Sequence, residues 1–134
     1  MKAVRTGVRE WICTNDRGAV VKVADVKEDD AFSPGELLQL AAATCAGLSI
    51  DHRLTHDLGE DIFVTLEVEP ERVSEENRYS AIHTRVRLDL SSLDEEQLEG
   101  LKERVQDAID RACTVGRTLA AGALTTTELV DEGE

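Results

Sequence analysis

Three cysteines, Cys13, Cys45 and Cys113, are the side chains of this 134-residue chain best suited to covalent chemistry. A thiolate is a nucleophile and a metal ligand, whereas a buried thiol is a small inert hydrophobe. The count is odd and the three lie far apart, which makes a poor disulfide framework, and a reducing compartment would keep them as thiols. No Cys-x-x-Cys pair occurs, so the spacing does not point to structural zinc. His52 and His56 lie four residues apart, on roughly one helical face with Cys45. They lack both the glutamate of an H-E-x-x-H helix and a third ligand at a telling spacing. They therefore read as polar residues near a helix C-terminus, where the dipole favours them. His52 sits two turns, about 10 Å, beyond Cys45, too far to deprotonate it directly. Cys13 reads as a half-buried strand residue. Trp11, the one tryptophan, either lines an apolar pocket or anchors the first strand.

The elements that must position these groups follow from the patterning. Residues 3–14 alternate as a strand, Asn15-Asp16-Arg17-Gly18 is a turn, and Ala19–Val26 resumes strand character, giving a hairpin. Ser33-Pro34-Gly35-Glu36 opens a helix, with Ser33 as N-cap, Pro34 at the first position and Glu36 closing a capping box. This helix is expected to run to about His56. It is apolar nearly all round from Leu37 to Ile50, which marks it as buried, and its small residues, Ala41 to Ala43, Ala46 and Gly47, admit another backbone closely. Ile62–Glu69 and Tyr79–Leu90 read as strands joined by a turn through Pro70 and Ser74-Glu75-Glu76-Asn77. Ser92 is expected to cap a second helix from about Asp94, striped by Leu98, Leu101, Val105, Ile109 and Ala112, which breaks near Cys113. Leu124–Val130, rich in Thr and Val, reads as a last strand, and residues 131–134 as a frayed tail. The order ββ-α-ββ-α-β is α+β, and the length fits a single domain over 1–134.

Cys45 lies about three turns inside its helix. The positive end of a helix dipole fades within the first turn, so its own helix cannot activate it, and burial raises a thiol's pKa. A cation is expected to come from elsewhere. Glu36 and Cys45, nine residues apart, are about 180° from each other around the axis and share no face.

Fifteen Lys and Arg against 28 Asp and Glu give a net charge of −13. That excess argues against a nucleic-acid partner, which needs clustered cations, and against an anionic membrane surface. The 41% hydrophobic fraction excludes a disordered chain, and with 3% aromatics the core must be aliphatic. The opening residues show no secretory signal, and Leu37–Ile50 is too short and polar to span a bilayer. A cytoplasmic location is the default expectation. The acids concentrate after residue 57, and the centre of the first helix carries none. An acid-coated exterior fits a site for uncharged or apolar molecules.

The run Ser33-Pro-Gly-Glu-Leu-Leu-Gln-Leu-Ala-Ala-Ala-Thr-Cys45 resembles the first signature of the OsmC/Ohr family, the osmotically inducible and organic-hydroperoxide-resistance proteins. Arg111-Ala112-Cys113-Thr114-Val115-Gly116-Arg117 sits where that family carries its second cysteine. The resemblance in element order spans nearly the whole chain, and its specific residues about twenty positions. It implies an OsmC-like fold and thiol peroxidase chemistry with no bound cofactor. Cys45 matches the peroxidatic cysteine, which becomes a sulfenic acid. Cys113 matches the resolving cysteine, which condenses with it to a disulfide. An external dithiol then resets the pair. Arg17, on the first hairpin, matches an essential arginine able to hold the thiolate, against a plain reading as a solvated turn residue. Glu36 corresponds to a glutamate that orients the arginine in some members, although the capping box explains it without catalysis. The chain departs from the pattern at Gly35, where the peroxidase branch often has glutamate, at Thr114, where proline is usual, and at Gly116, where a small hydroxyl residue is usual.

The all-round apolar first helix exceeds what one chain of this size covers, which predicts a homodimer with a large apolar interface. The resemblance sharpens this to an intertwined homodimer with sites at the interface, where Arg17 and Glu36 reach Cys45 across subunits. The leading expectation is a peroxidase acting on organic hydroperoxides, and retention of both cysteines favours it. The alternative is a non-enzymatic OsmC-like protein that binds a small ligand or senses oxidants, which the three departures favour.

Overall fold

The computed structural model describes residues 1–133 and is mixed α+β, with two small antiparallel sheets and three helices. Strands β1 (Lys2–Gly7), β2 (Glu10–Thr14) and β3 (Val20–Ala24) form one sheet in sequence order. Helix α1 (Pro34–Leu58) follows, then the hairpin of β4 (Thr65–Val73) and β5 (Arg78–Arg87), then α2 (Glu95–Ala112) and α3 (Thr114–Ala121).

The expected strand over 3–14 is two strands. The ladder slips between Arg5 and Gly7, and Arg9 adopts the left-handed region at φ 57°, reversing the chain before β2. The turn at Asn15–Gly18 forms as expected. The Asn15 side-chain oxygen accepts from the N–H groups of Arg17 and Ala19, both at 3.0 Å, and Gly18 takes φ 92°.

At the start of α1 the reciprocal box is complete: Ser33 Oγ accepts from Glu36 N–H at 3.1 Å, and Glu36 Oε1 from Ser33 N–H at 2.9 Å. The helix ends where Gly59, at φ 91°, donates its N–H to the Thr55 carbonyl at 2.8 Å. Its buried stripe is Ala43, Ile50 and Leu54. Gly47 permits the close approach of β4, because a Cβ there would lie 2.8 Å from Leu66 Cδ1. Ile50 and Leu54 meet Leu101 of α2 in the core, with Val86, Val105 and Ile109 packed around them. Only one side of α1 is covered within the chain. Leu38 and Leu40 are more than a third exposed and Leu48 is 81% exposed, so the expectation of a helix buried all round is not met by one chain.

Pro70 lies inside β4 opposite Ile82 rather than in the turn. In a two-stranded sheet each strand has a free edge, so the missing N–H costs no ladder bond there. The turn itself is the 3₁₀ segment Ser74–Glu76, closed by Asn77 at φ 49°. The outer face of the hairpin is charged, with Arg87 on Glu67 at 2.7 Å, Arg85 on Glu69 at 3.8 Å and His83 on Glu71 at 3.0 Å. Such exposed pairs add little stability but keep the acids on the outside.

The cap of α2 is Asp94, not Ser92. Its carboxylate accepts from Gln97 N–H at 2.8 Å and the Gln97 side chain returns to Asp94 N–H at 3.0 Å. Beyond α3 the expected strand over Leu124–Val130 does not form. Among the described residues no strand pairs with it, and Leu124 and Leu129 are fully exposed. Strand propensity without a ladder partner leaves backbone groups to water. Residues 131–133 lie in no regular element. Glu134, the end of the expected tail, lies outside the described residues.

Ile50 is 1% exposed at the centre of this core. Ile50→Ala is expected to lower unfolding free energy by about 2–5 kcal/mol, read as a lower urea midpoint at unchanged slope.

Candidate active site at the break between α2 and α3

Cys113 alone separates α2 from α3. Its N–H closes α2 on the Ile109 carbonyl at 3.0 Å, its carbonyl opens α3 by accepting from Arg117 N–H at 2.9 Å, and its sulfur accepts from Gly116 N–H at 3.4 Å. The thiol is thus the N-cap of α3 and is 3% exposed. A helix start leaves its first N–H groups unpaired and carries the positive end of the dipole. The N–H groups of Val115 and Thr114 there lower the pKa of the Cys45 thiol on α1.

The two thiols lie side by side and their acidities are pushed apart. The Val115 N–H lowers the pKa of Cys45 most strongly, with the Cys113 S–H and the Thr114 N–H adding to it against partial burial. Cys113 is pushed up, first by burial and then by the neighbouring Cys45 sulfur, with only the Gly116 N–H opposing. The directions are opposite, down for Cys45 and up for Cys113. A pair of titrating groups split this way has distinct roles as nucleophile and proton-bearing partner.

Within one chain, the groups that lower the Cys45 pKa belong to the start of a second helix and to Cys113. The break after α2 was expected, but the helix after it was not. The signal for α3 is weak, because a cysteine is an unusual cap and Gly116 lies within the segment, with Gly122 just after it.

The structure brings Cys45 and Cys113 together and leaves the other two expected residues apart from them within one chain. Arg17 is exposed at the tip of the β2–β3 turn, and Cys45 feels amides and a thiol rather than its guanidinium. Glu36 is exposed, and its carboxylate is held by the Ser33 N–H. Cys13 sits half-buried on β2 between Ala3 and Val21. His56 bonds the neighbouring Asp57 at 2.9 Å, and Asp57 also holds Arg104 of α2, so this histidine serves the end of α1.

Two departures from the family pattern have local causes. A Cβ at Gly116 would lie 3.1 Å from Cys113 Sγ, so glycine lets this N–H approach the capping sulfur. At Gly35 the space a side chain would fill is taken by the hydroxyl of Tyr79, to which Gln39 Nε2 donates at 3.3 Å. A groove of about 1480 Å³ passes Cys113 and Gly116 and is walled by Trp11, Leu38, Ala42 and Ala46. Ala42 and Ala46 lie three residues before and one after Cys45 on α1.

Fold and site define an α+β protein with a dithiol centre at a helix start. The chain belongs to the OsmC-like protein family, whose model matches residues 27–128. It is 40% identical over 129 residues to uncharacterized proteins of Mycobacterium bovis and Mycobacterium tuberculosis, covering 96% of this chain and 94% of theirs. Two solved structures share the fold. One is a putative osmotic stress induced and detoxification response protein from Psychrobacter arcticus, with TM-score 0.67, 22% identity, and 87% and 85% of the two chains covered. The other is the organic hydroperoxide resistance protein OhrB of Bacillus subtilis, with TM-score 0.52, 18% identity, and 87% and 88% covered.

Alkylation of the folded protein, resolved by peptide mass, tests the split. The pH midpoint of labelling is expected below about 8.5, the free-thiol value, for Cys45 and above it for Cys113. Equal midpoints would remove the distinction.

Proposed function

We propose that this protein is a cysteine-based thiol peroxidase that reduces organic hydroperoxides. The observation that carries the reading is the Cys45 thiol, lowered in pKa by α3 amides, beside a second thiol raised in pKa. The Cys45 thiolate attacks the terminal oxygen of ROOH. The O–O bond breaks, one oxygen stays on sulfur as a sulfenic acid, and the alkoxide leaves with a proton as ROH. Cys113 then attacks the sulfenic sulfur, water leaves and a Cys45–Cys113 disulfide forms. An external dithiol exchanges with it, is oxidised, and restores both thiols.

In this reading residues 1–134 act as one domain in the cytoplasm, as an intertwined homodimer. The exposed Leu38, Leu40 and Leu48 on α1, and Leu124 and Leu129 after α3, support a partner copy, which would supply the ladder that the last segment lacks. Arg17 and Glu36 would then approach Cys45 from the partner, Arg17 to hold the leaving oxygen and Glu36 to orient it.

A steady-state assay with cumene hydroperoxide and dihydrolipoamide tests this. Cys45→Ser is expected to abolish turnover. Cys113→Ser is expected to give a single burst followed by over-oxidation. A wild-type protein without turnover would favour the ligand-binding or oxidant-sensing alternative instead.

A further inference from the structure

The motif around Cys113 ends on a residue that the thiol chemistry leaves unused, Arg117. Its guanidinium donates from Nη1 to the Arg111 carbonyl at 3.0 Å, six residues back along the chain. Its backbone N–H donates to the Cys113 carbonyl at 2.9 Å. Arg117 therefore holds α2 with its side chain and the break itself with its main chain. None of the ion pairs among the described residues involves it, so no carboxylate draws the guanidinium away.

The break needs such a tie. The last carbonyls of a helix have no donor of their own. At the end of α2 the Cys113 N–H takes the Ile109 carbonyl, and the Arg111 carbonyl is the one that Arg117 reaches. The direction of α3 relative to α2 turns on a single residue, Cys113, at φ −77° and ψ 91°. Helix α3 has eight residues, too few to hold a helix alone in water, and Gly116 in its first turn weakens it further. Its cap is a thiol, a weak acceptor. A bond from α3 back to α2 fixes what these local interactions leave loose.

We propose that Arg117 is a positioning residue, which holds the first turn of α3 in place beside the thiol pair by bonding the Arg111 carbonyl across the break. The groups that act on the Cys45 thiol are the Val115 and Thr114 N–H groups and Cys113, not this guanidinium. Arg117 thus works through the placement of α3 rather than on the sulfur. The proposal rests on the peroxidase reading in treating Cys45 as the reacting thiol, and the positioning itself requires no turnover. A cation also suits the negative end of the α2 dipole, so the test separates the donor from the charge.

Two full-length variants do this. Arg117→Met keeps an unbranched side chain of similar helix propensity and removes both donor and charge. Replacement of Arg117 by citrulline, through a synthetic segment ligated at Cys113, keeps the N–H donor and removes the charge. Iodoacetamide labelling of Cys45 at neutral pH is followed by peptide mass, with helix content read by circular dichroism. Arg117→Met is expected to slow labelling roughly threefold, within what one hydrogen bond contributes, at unchanged helix content. The citrulline protein is expected to label at the wild-type rate. Slowing in both would assign the effect to charge and overturn the proposal. So would an unchanged rate in Arg117→Met. If methionine costs helix content, the citrulline protein decides: wild-type labelling supports the donor, and slowed labelling overturns it. The expected labelling pattern in a protein without hydroperoxide turnover would remove the peroxidase reading and keep the role of Arg117. Turnover with labelling indifferent to Arg117 would do the reverse.

Discussion

The candidate site depends on the start of α3 lowering the pKa of the Cys45 thiol. Cys45 lies too deep in α1 to feel its own helix dipole, and partial burial alone would push its pKa up. The amides of Val115 and Thr114 reverse that direction. They can do so because α2 stops at Ala112 and α3 restarts at Thr114, with a single residue between. That residue is Cys113, whose sulfur caps the new helix at Gly116 N–H. One cysteine thus makes the break, satisfies one orphan donor, leaves two others for Cys45, and brings a second thiol into place.

The same geometry keeps the pair asymmetric. Burial pushes the Cys113 thiol up, opposite to the direction at Cys45. The surrounding charge is arranged on a larger scale. Acids are displayed on the outer face of β4–β5, where they pair with Arg85, Arg87 and His83, while Arg5, Arg9, Arg72 and Arg78 of the two hairpins line the groove that passes Cys113.

Much of this was legible in the sequence because it is written in local terms. The Ser33–Glu36 box fixed the start of α1, the Asn15–Gly18 turn fixed the β2–β3 hairpin, and the stripe through Leu101, Val105 and Ile109 gave α2. The joining of Cys45 to Cys113 was legible only through resemblance to a family, because nothing local links two residues so far apart. The split of the first strand was hidden because a left-handed Arg9 leaves no compositional mark. Helix α3 was hidden because its cap is a cysteine, and the activating group was missed because backbone amides have no letter in a sequence. The groove's arginines come from two hairpins that the fold brings together, and Tyr79 fills the space at Gly35 from forty-four residues away. The segment 124–130 has strand composition but no ladder partner among the described residues.

The central claim is that a backbone N–H of α3 lowers the pKa of Cys45. Cys113 is a natural junction for ligating a synthetic segment 113–134 to residues 1–112, which permits Val115 to be replaced by its α-hydroxy acid. That ester removes the N–H and leaves the side chain unchanged. The account predicts that the pH midpoint of Cys45 alkylation rises by about one unit, the scale of losing a hydrogen bond to a charged group, with helix content by circular dichroism unchanged. An unshifted midpoint in a folded ester variant would contradict it.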